Sequence, residues 1–312
     1  MQTPEETTEE KKLNLGILKI DLGADPVPEE KPDMTWSELS SAYKAKRIVP
    51  VTVSGLEKTQ LNGSVVVGCY KNQRIVVPVS EMMINLNSNN YLNETVDERL
   101  SRICNSMLGA DIDVIIKGID KKSSTIVASR ADAMMRKRER FYLTPLMDGL
   151  PHVREGRIVE GRIIAVSQMT ARVEVFGVEV TLGASQLCWD WIADVSERYH
   201  VGETLNMLVT KIEGDSIDNL KLEVDVKSII PNTSMENLSK CAIQGKYIGE
   251  VTNVSNGNVY IRLKIGVNAI AHTNYDKRMP GKGDIVSFVV TRINADYGNV
   301  NGILTRIIKQ VI

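Results

Sequence analysis

Three twelve-residue segments of this chain repeat one apolar rhythm in register, and that repetition constrains the fold more than any other feature. They are Gly109–Asp120, Gly202–Glu213 and Gly283–Asn294. Aligned on the glycine, the third residue on is Ile112, Leu205 or Val286, and the fifth is Val114, Met207 or Phe288. The seventh is Ile116, Val209 or Val290, and the tenth is isoleucine each time: Ile119, Ile212 and Ile293. Apolar side chains two apart share one face of a strand, so each segment reads as a strand half sunk in a core. The opening glycine and the closing acidic or amide residue are turn chemistry. The copies start 93 and 81 residues apart. That is too long for a solenoid unit and suits a small independent barrel. The chain reads as three copies of one β-domain.

Charge separates the copies. The whole chain is balanced, with 38 basic and 39 acidic residues. Residues 1–33 carry net −5, residues 34–149 net +4, residues 150–230 net −5 and residues 240–312 net +6. One sign gathered in one small domain speaks of partners rather than fold. Aromatics are only 5% of the chain, which counts against an extensive base-stacking surface. The four cysteines (Cys69, Cys104, Cys188, Cys241) form no Cys-x-x-Cys pair, so neither a disulfide framework nor a zinc site is expected. No apolar run is long enough to span a bilayer, and the acidic start is the opposite of a secretory signal. A cytoplasmic protein with no membrane contact is expected.

Four regions follow from the chain order. Residues 1–33, rich in Glu, Thr and Pro, read as a disordered acidic tail. Within it Leu13 to Leu22 forms an apolar patch that either docks on a partner, such as the ribosome or another protein, or packs on its own first domain. Residues 34–149 read as domain 1. A helix opens at the capping-box spacing Thr35/Glu38, with Trp36, Leu39 and Tyr43 on one side. Strands follow at Val49–Val53, Ser64–Cys69 and Arg74–Val79. A second capping box, Thr95/Glu98, opens a helix with Leu100, Ile103 and Met107 as its buried stripe, before strands at Ile112–Ile119 and Thr125–Ser129. Three strands, a helix and two strands is the order of a five-stranded OB barrel. Ala131–Tyr142 reads as a helix whose cations (Arg136, Lys137, Arg138, Arg140) form a solvated linker face or touch phosphates. Residues 150–230 and 240–312 repeat the strand pattern as domains 2 and 3. Domain 2 carries a Trp189-Asp190-Trp191 connection that reads as a plug rather than a base platform. Domain 3 carries an Asn256-Gly257 hairpin turn. The fold expected is all-β: three tandem five-stranded OB-fold barrels with short helices.

Glu155-Gly156-Arg157-Ile158-Val159-Glu160-Gly161-Arg162-Ile163, followed in order by Ser185-Gln186-Leu187, Trp189-Asp190-Trp191 and Val201-Gly202-Glu203, resembles the S1 RNA-binding domain. That domain is the OB-type repeat of bacterial ribosomal protein S1. Val77-Pro78-Val79-Ser80-Glu81-Met82 and Ala128-Ser129-Arg130 resemble the same family's third and last strands. The resemblance implies that RNA lies across strands two and three, on two aromatics, a histidine ending strand three, and a basic residue on the last strand. In domain 3, Tyr260, His272 and Arg306 fall at three of these positions, and Gly257 replaces the first aromatic. The alternation of Val259, Ile261 and Leu263 independently puts Tyr260, Arg262 and Lys264 on the outward face. One aromatic beside two cations is the composition of a single-strand groove. Domain 1 has Pro78 at the histidine position but keeps Arg130, Lys71, Arg74 and Tyr70 as contacts. Domain 2 has Met169 and Arg172 at the aromatic positions and Gly183 at the histidine position, and reads as a spacer or protein-binding unit.

No Walker loop, His-Glu-x-x-His, nucleophile elbow or metal-spaced cluster is present in the sequence, so no catalytic residue, metal or cofactor is expected. The reading is a non-catalytic binder of single-stranded RNA, most simply mRNA, in or near translation. Two alternatives stay open. One is a protein adaptor working through the acidic tail and middle domain. The other is a single-stranded DNA binder of a mobile element or the nucleoid.

Overall fold

The computed structural model describes residues 35–59, 63–84, 95–120, 125–146, 149–214 and 216–311, with the side chains of 97 and 273 also outside the description. The expected acidic tail and its 13–22 patch lie outside the described residues.

The predicted barrel order is present three times. In the first copy, β1 (Ile48–Thr59), β2 (Gly63–Tyr70), β3 (Gln73–Pro78), β4 (Asp111–Asp120) and β5 (Thr125–Ser129) close a barrel in the order β1-β2-β3-β5-β4. The inward rhythm of the repeat is realised: Ile112, Val114 and Ile116 are buried beside Val51, Ile75 and Ile126. The helix between β3 and β4, α2 (Val96–Asn105), starts on the predicted capping box. Thr95 Oγ1 accepts from the Glu98 amide (3.3 Å), and Glu98 Oε2 accepts from the Thr95 amide (2.9 Å). Leu100 and Met107 are buried, while Ile103 is half-buried. The earlier helix, α1 (Thr35–Ala45), buries Leu39 and leaves Tyr43 exposed.

The second copy has β6 (Ile158–Val166), β7 (Thr170–Val175), β8 (Val178–Gly183), β9 (Thr204–Glu213) and β10 (Lys221–Asp225) in the order β10-β9-β6-β7-β8. This is the same neighbour order with one ladder missing, the parallel pairing of third and fifth strands. The edges of β8 and β10 line a cleft of about 930 Å³. The third copy closes again: β11 (Lys246–Ser255), β12 (Asn258–Leu263), β13 (Asn268–Asn274), β14 (Ile285–Asn294) and β15 (Asn299–Lys309), in the order β11-β12-β13-β15-β14. Asn256 and Gly257 both adopt positive φ (50° and 77°) in the β11–β12 turn, as an Asn-Gly hairpin requires. Val286, Phe288 and Val290 fill this core.

Packing divides the chain into two compact units. One extends to Val166 and includes Ala171–Thr181 and Tyr199–Asp225; the other holds Ser167–Thr170, Leu182–Arg198 and Val226–Ile312. The first unit therefore contains the first barrel and most of the middle sheet, and the β8–β9 connection belongs with the third barrel. All four cysteines are free, and only Cys69 is exposed. No helix among the described residues is long and apolar enough to cross a membrane.

The cationic helix corrects two expectations. It forms as α3 (Arg130–Arg138) with a π-helical turn over Glu139–Leu143. Arg136 and Arg140 are exposed, but Lys137 and Arg138 are buried rather than solvated. Arg130, expected to meet RNA, is wholly buried: it pairs with Glu174 and, at 2.6 Å, with Glu179. Lys137 pairs with Asp113, and Arg138 donates to the Gly177 carbonyl (2.7 Å). Buried guanidinium and ammonium groups persist only when carboxylates or carbonyls replace their water, which these partners do. Burial alone would raise the Glu174 pKa, but Arg130 and Lys137 outweigh it and hold the carboxyl at about 2.

Candidate nucleic-acid interface

Along β12 burial alternates strictly: Val259, Ile261 and Leu263 are buried, and Asn258, Tyr260 and Arg262 face outward, half-buried. Ladder register fixes what stands beside them. Tyr260 is level with Ile270 on β13, and Ile270 with Asn301 on β15. Arg262 is level with Asn268, and Asn268 with Asn299. One row beyond Tyr260, His272 is exposed and its Nδ1 lies 2.7 Å from Asn258 Oδ1. At one end of the face Lys264 is exposed; past the other, Arg306 is exposed on β15. Neither cation has an ion-pair partner among the described residues. At about 3.4 Å per residue, Lys264 to Asn258 alone spans roughly 20 Å. The five predicted side chains of domain 3 thus lie on the outer surface of one barrel.

The middle of this face is not open. The β8–β9 connection brings Cys188 to Trp191 onto it. Trp191 stands edge-on to Tyr260, with ring centroids 5.5 Å apart and planes at 89°. Asp190 Oδ1 is 2.9 Å from an Arg262 Nη, and Asp190 Oδ2 accepts from Arg198 at 2.9 Å. Arg262 also donates to Asn268 Oδ1 (2.8 Å) and to Thr233 Oγ1 (2.6 Å), the latter in α5 (Thr233–Asn237). Burial lowers the Arg262 pKa, with Asp190 acting against it. Trp189 is rooted more firmly: its indole N–H donates to the Lys227 and Ile230 carbonyls (3.2 and 3.0 Å), and Lys227 Nζ sits 4.5 Å from its ring centroid.

The remaining candidates are spread out. On the first barrel, Tyr70 packs against the core cluster, Lys71 pairs with Glu38 at 3.4 Å, and Arg74 pairs with Glu57 at 2.5 Å. Arg172 on β7 is half-buried, 3.8 Å from Glu179. The charges of Lys71, Arg74 and Arg172 are met by carboxylates of the protein. Sequence reasoning missed Tyr275, which is 68% exposed just past the end of β13. Its place three residues after His272 was the available signal. It also missed the pairing of Asp190 and Trp191 with Arg262 and Tyr260, which no local pattern announces.

Residues 152–218 match the family pattern described as the S1 RNA binding domain. A protein of Clostridium acetobutylicum named 4-hydroxy-3-methylbut-2-enyl diphosphate reductase is 23% identical over 246 residues, covering 79% of this chain and 35% of that protein. Small ribosomal subunit protein bS1 of Coxiella burnetii is 23% identical over 239 residues, covering 77% of this chain and 39% of that protein. The chain thus spans little more than a third of the length of either relative. Among solved structures, a Streptococcus pneumoniae multidomain protein with nucleic acid binding domains covers 84% of this chain at 10% identity, with a TM-score of 0.20. That score is too low to bear on function. The chain thus carries an S1 RNA binding domain pattern over residues 152–218 and resembles bacterial ribosomal protein S1.

Proposed function

We propose that this chain is a non-catalytic binder of single-stranded RNA that works in or near translation, with the outer face of the third barrel as its contact surface. The observation that carries this reading is the run of Lys264, Tyr260, His272 and Arg306 along that face, in a region of net charge +6. Cations spaced along a strand face neutralise successive phosphates, and an aromatic among them stacks a base with little sequence preference. The similarity to bS1 supports the link to translation.

A salt titration of the full chain on a single-stranded RNA tests the electrostatic part. Two to four neutralised phosphates give a log–log slope of about −1.4 to −2.8. Replacing Lys264 and Arg306 together by alanine is expected to flatten that slope by about 1.4. A slope unchanged by the double substitution rejects this face. Competition between matched RNA and DNA strands separates the RNA reading from a DNA one, because only RNA offers the 2′-hydroxyl.

A further inference from the structure

We propose that the Cys188–Trp191 segment is a built-in competitor for the third barrel's binding face, and that single-stranded RNA reaches Tyr260 and Arg262 only by displacing it. The inference rests on the RNA reading above and names its regulation. The segment makes the two contacts that a nucleotide would make. Trp191 offers an aromatic ring to Tyr260, where a base would stack, and Asp190 offers an anion to Arg262, where a phosphate would sit. A phosphate cannot join Arg262 while Asp190 remains, because two anions would share one cation already committed to Asn268 and Thr233.

Displacement exchanges like for like. RNA phosphate replaces the Asp190 carboxylate, and a base replaces the Trp191 ring. Asp190 is not left uncompensated, because its second oxygen keeps Arg198. The contacts to be surrendered are weak ones: a partly exposed ion pair and one edge-on ring pair. Trp189 differs, since two backbone carbonyls and Lys227 hold its indole, so it serves as the root about which the following residues lift. Lys264, His272 and Arg306 stay exposed throughout and supply the first foothold for the strand. A ligand bringing only negative charge repays one contact; a strand bringing phosphate and base repays both. The segment therefore favours nucleic acid over simple polyanions.

The test uses the full chain, a fluorescein-labelled oligouridylate and two separate variants, Asp190→Asn and Trp191→Ala. Each is expected to tighten binding about three- to tenfold, the factor corresponding to a contact of this class. Adding Tyr260→Ala to Trp191→Ala should abolish the gain. Asp190→Asn preserves side-chain size, so it reads the mask even if Trp191→Ala loosens the fold. Binding that is unchanged in both variants overturns the competitor and leaves the RNA reading intact. Weaker binding with Trp191→Ala also overturns it, making Trp191 an RNA contact. If neither the native chain nor either variant binds, both readings fall together.

Discussion

Replacing Arg130 by methionine is expected to lower the unfolding free energy of the first unit by about 3–5 kcal/mol, followed by urea denaturation. The guanidinium is wholly buried and faces Glu174 and Glu179, so its removal leaves carboxylates out of water with fewer partners. The double variant Arg130→Met with Glu174→Leu should recover much of the loss, because replacing both members of a buried pair by apolar groups is often nearly neutral. An equal or larger loss in the double variant rejects the account. The same network predicts an acid limit. The Glu174 carboxyl is held at about 2 against an ordinary 4.5 by Arg130 and Lys137, overcoming burial. A depressed folded-state pKa gives stability that is complete above the unfolded value and fades as pH falls toward 2. That loss is expected to reach roughly 3 kcal/mol, and Glu174→Leu should remove this part of the pH dependence.

Gly177→Ala is the second large effect. Phe176 and Gly177 form the β7–β8 turn with φ of 47° and 86°. A methyl group at Gly177 would press into the backbone carbonyl of Met134 in α3. Left-handed strain of about 1–2 kcal/mol adds to overpacking of about 1–3 kcal/mol. In a unit of this size the melting temperature should fall by about 5–15 °C. Gly109→Ala is the control: its φ is 80° but nothing lies within 4 Å of the added carbon. Strain alone applies there, so its fall should be clearly smaller. Equal falls at the two positions would remove the helix contact from the explanation.

What the sequence disclosed and withheld follows from the range of the interactions. The inward rhythm of Ile112, Val114 and Ile116 was legible because strand packing repeats every two residues and needs no distant information. The Thr95/Glu98 cap and the Asn256-Gly257 turn were legible for the same reason: donor, acceptor and backbone shape all lie within four residues. The outward direction of Tyr260 and Arg262 followed from the alternation of their neighbours. Their covering did not, since Asp190 and Arg262 are 72 positions apart and nothing local to either announces the other. Arg130 failed likewise. A cation beside Lys137 and Arg138 looks the same in sequence whether water or Glu174 surrounds it. The missing ladder between β8 and β10 also escaped notice, because strands alternate in the same way whether or not a sheet closes.

The burial of α3's charges bears on how such a chain can be rebuilt. Tandem repeats invite the idea of interchangeable beads, gained, lost or swapped one at a time. Glu174 and Glu179 forbid that for the first two copies, because exchanging the second for a homologue lacking those carboxylates would strand Arg130 in a dry interior. Recombination at residue 150 should therefore yield insoluble chimeras.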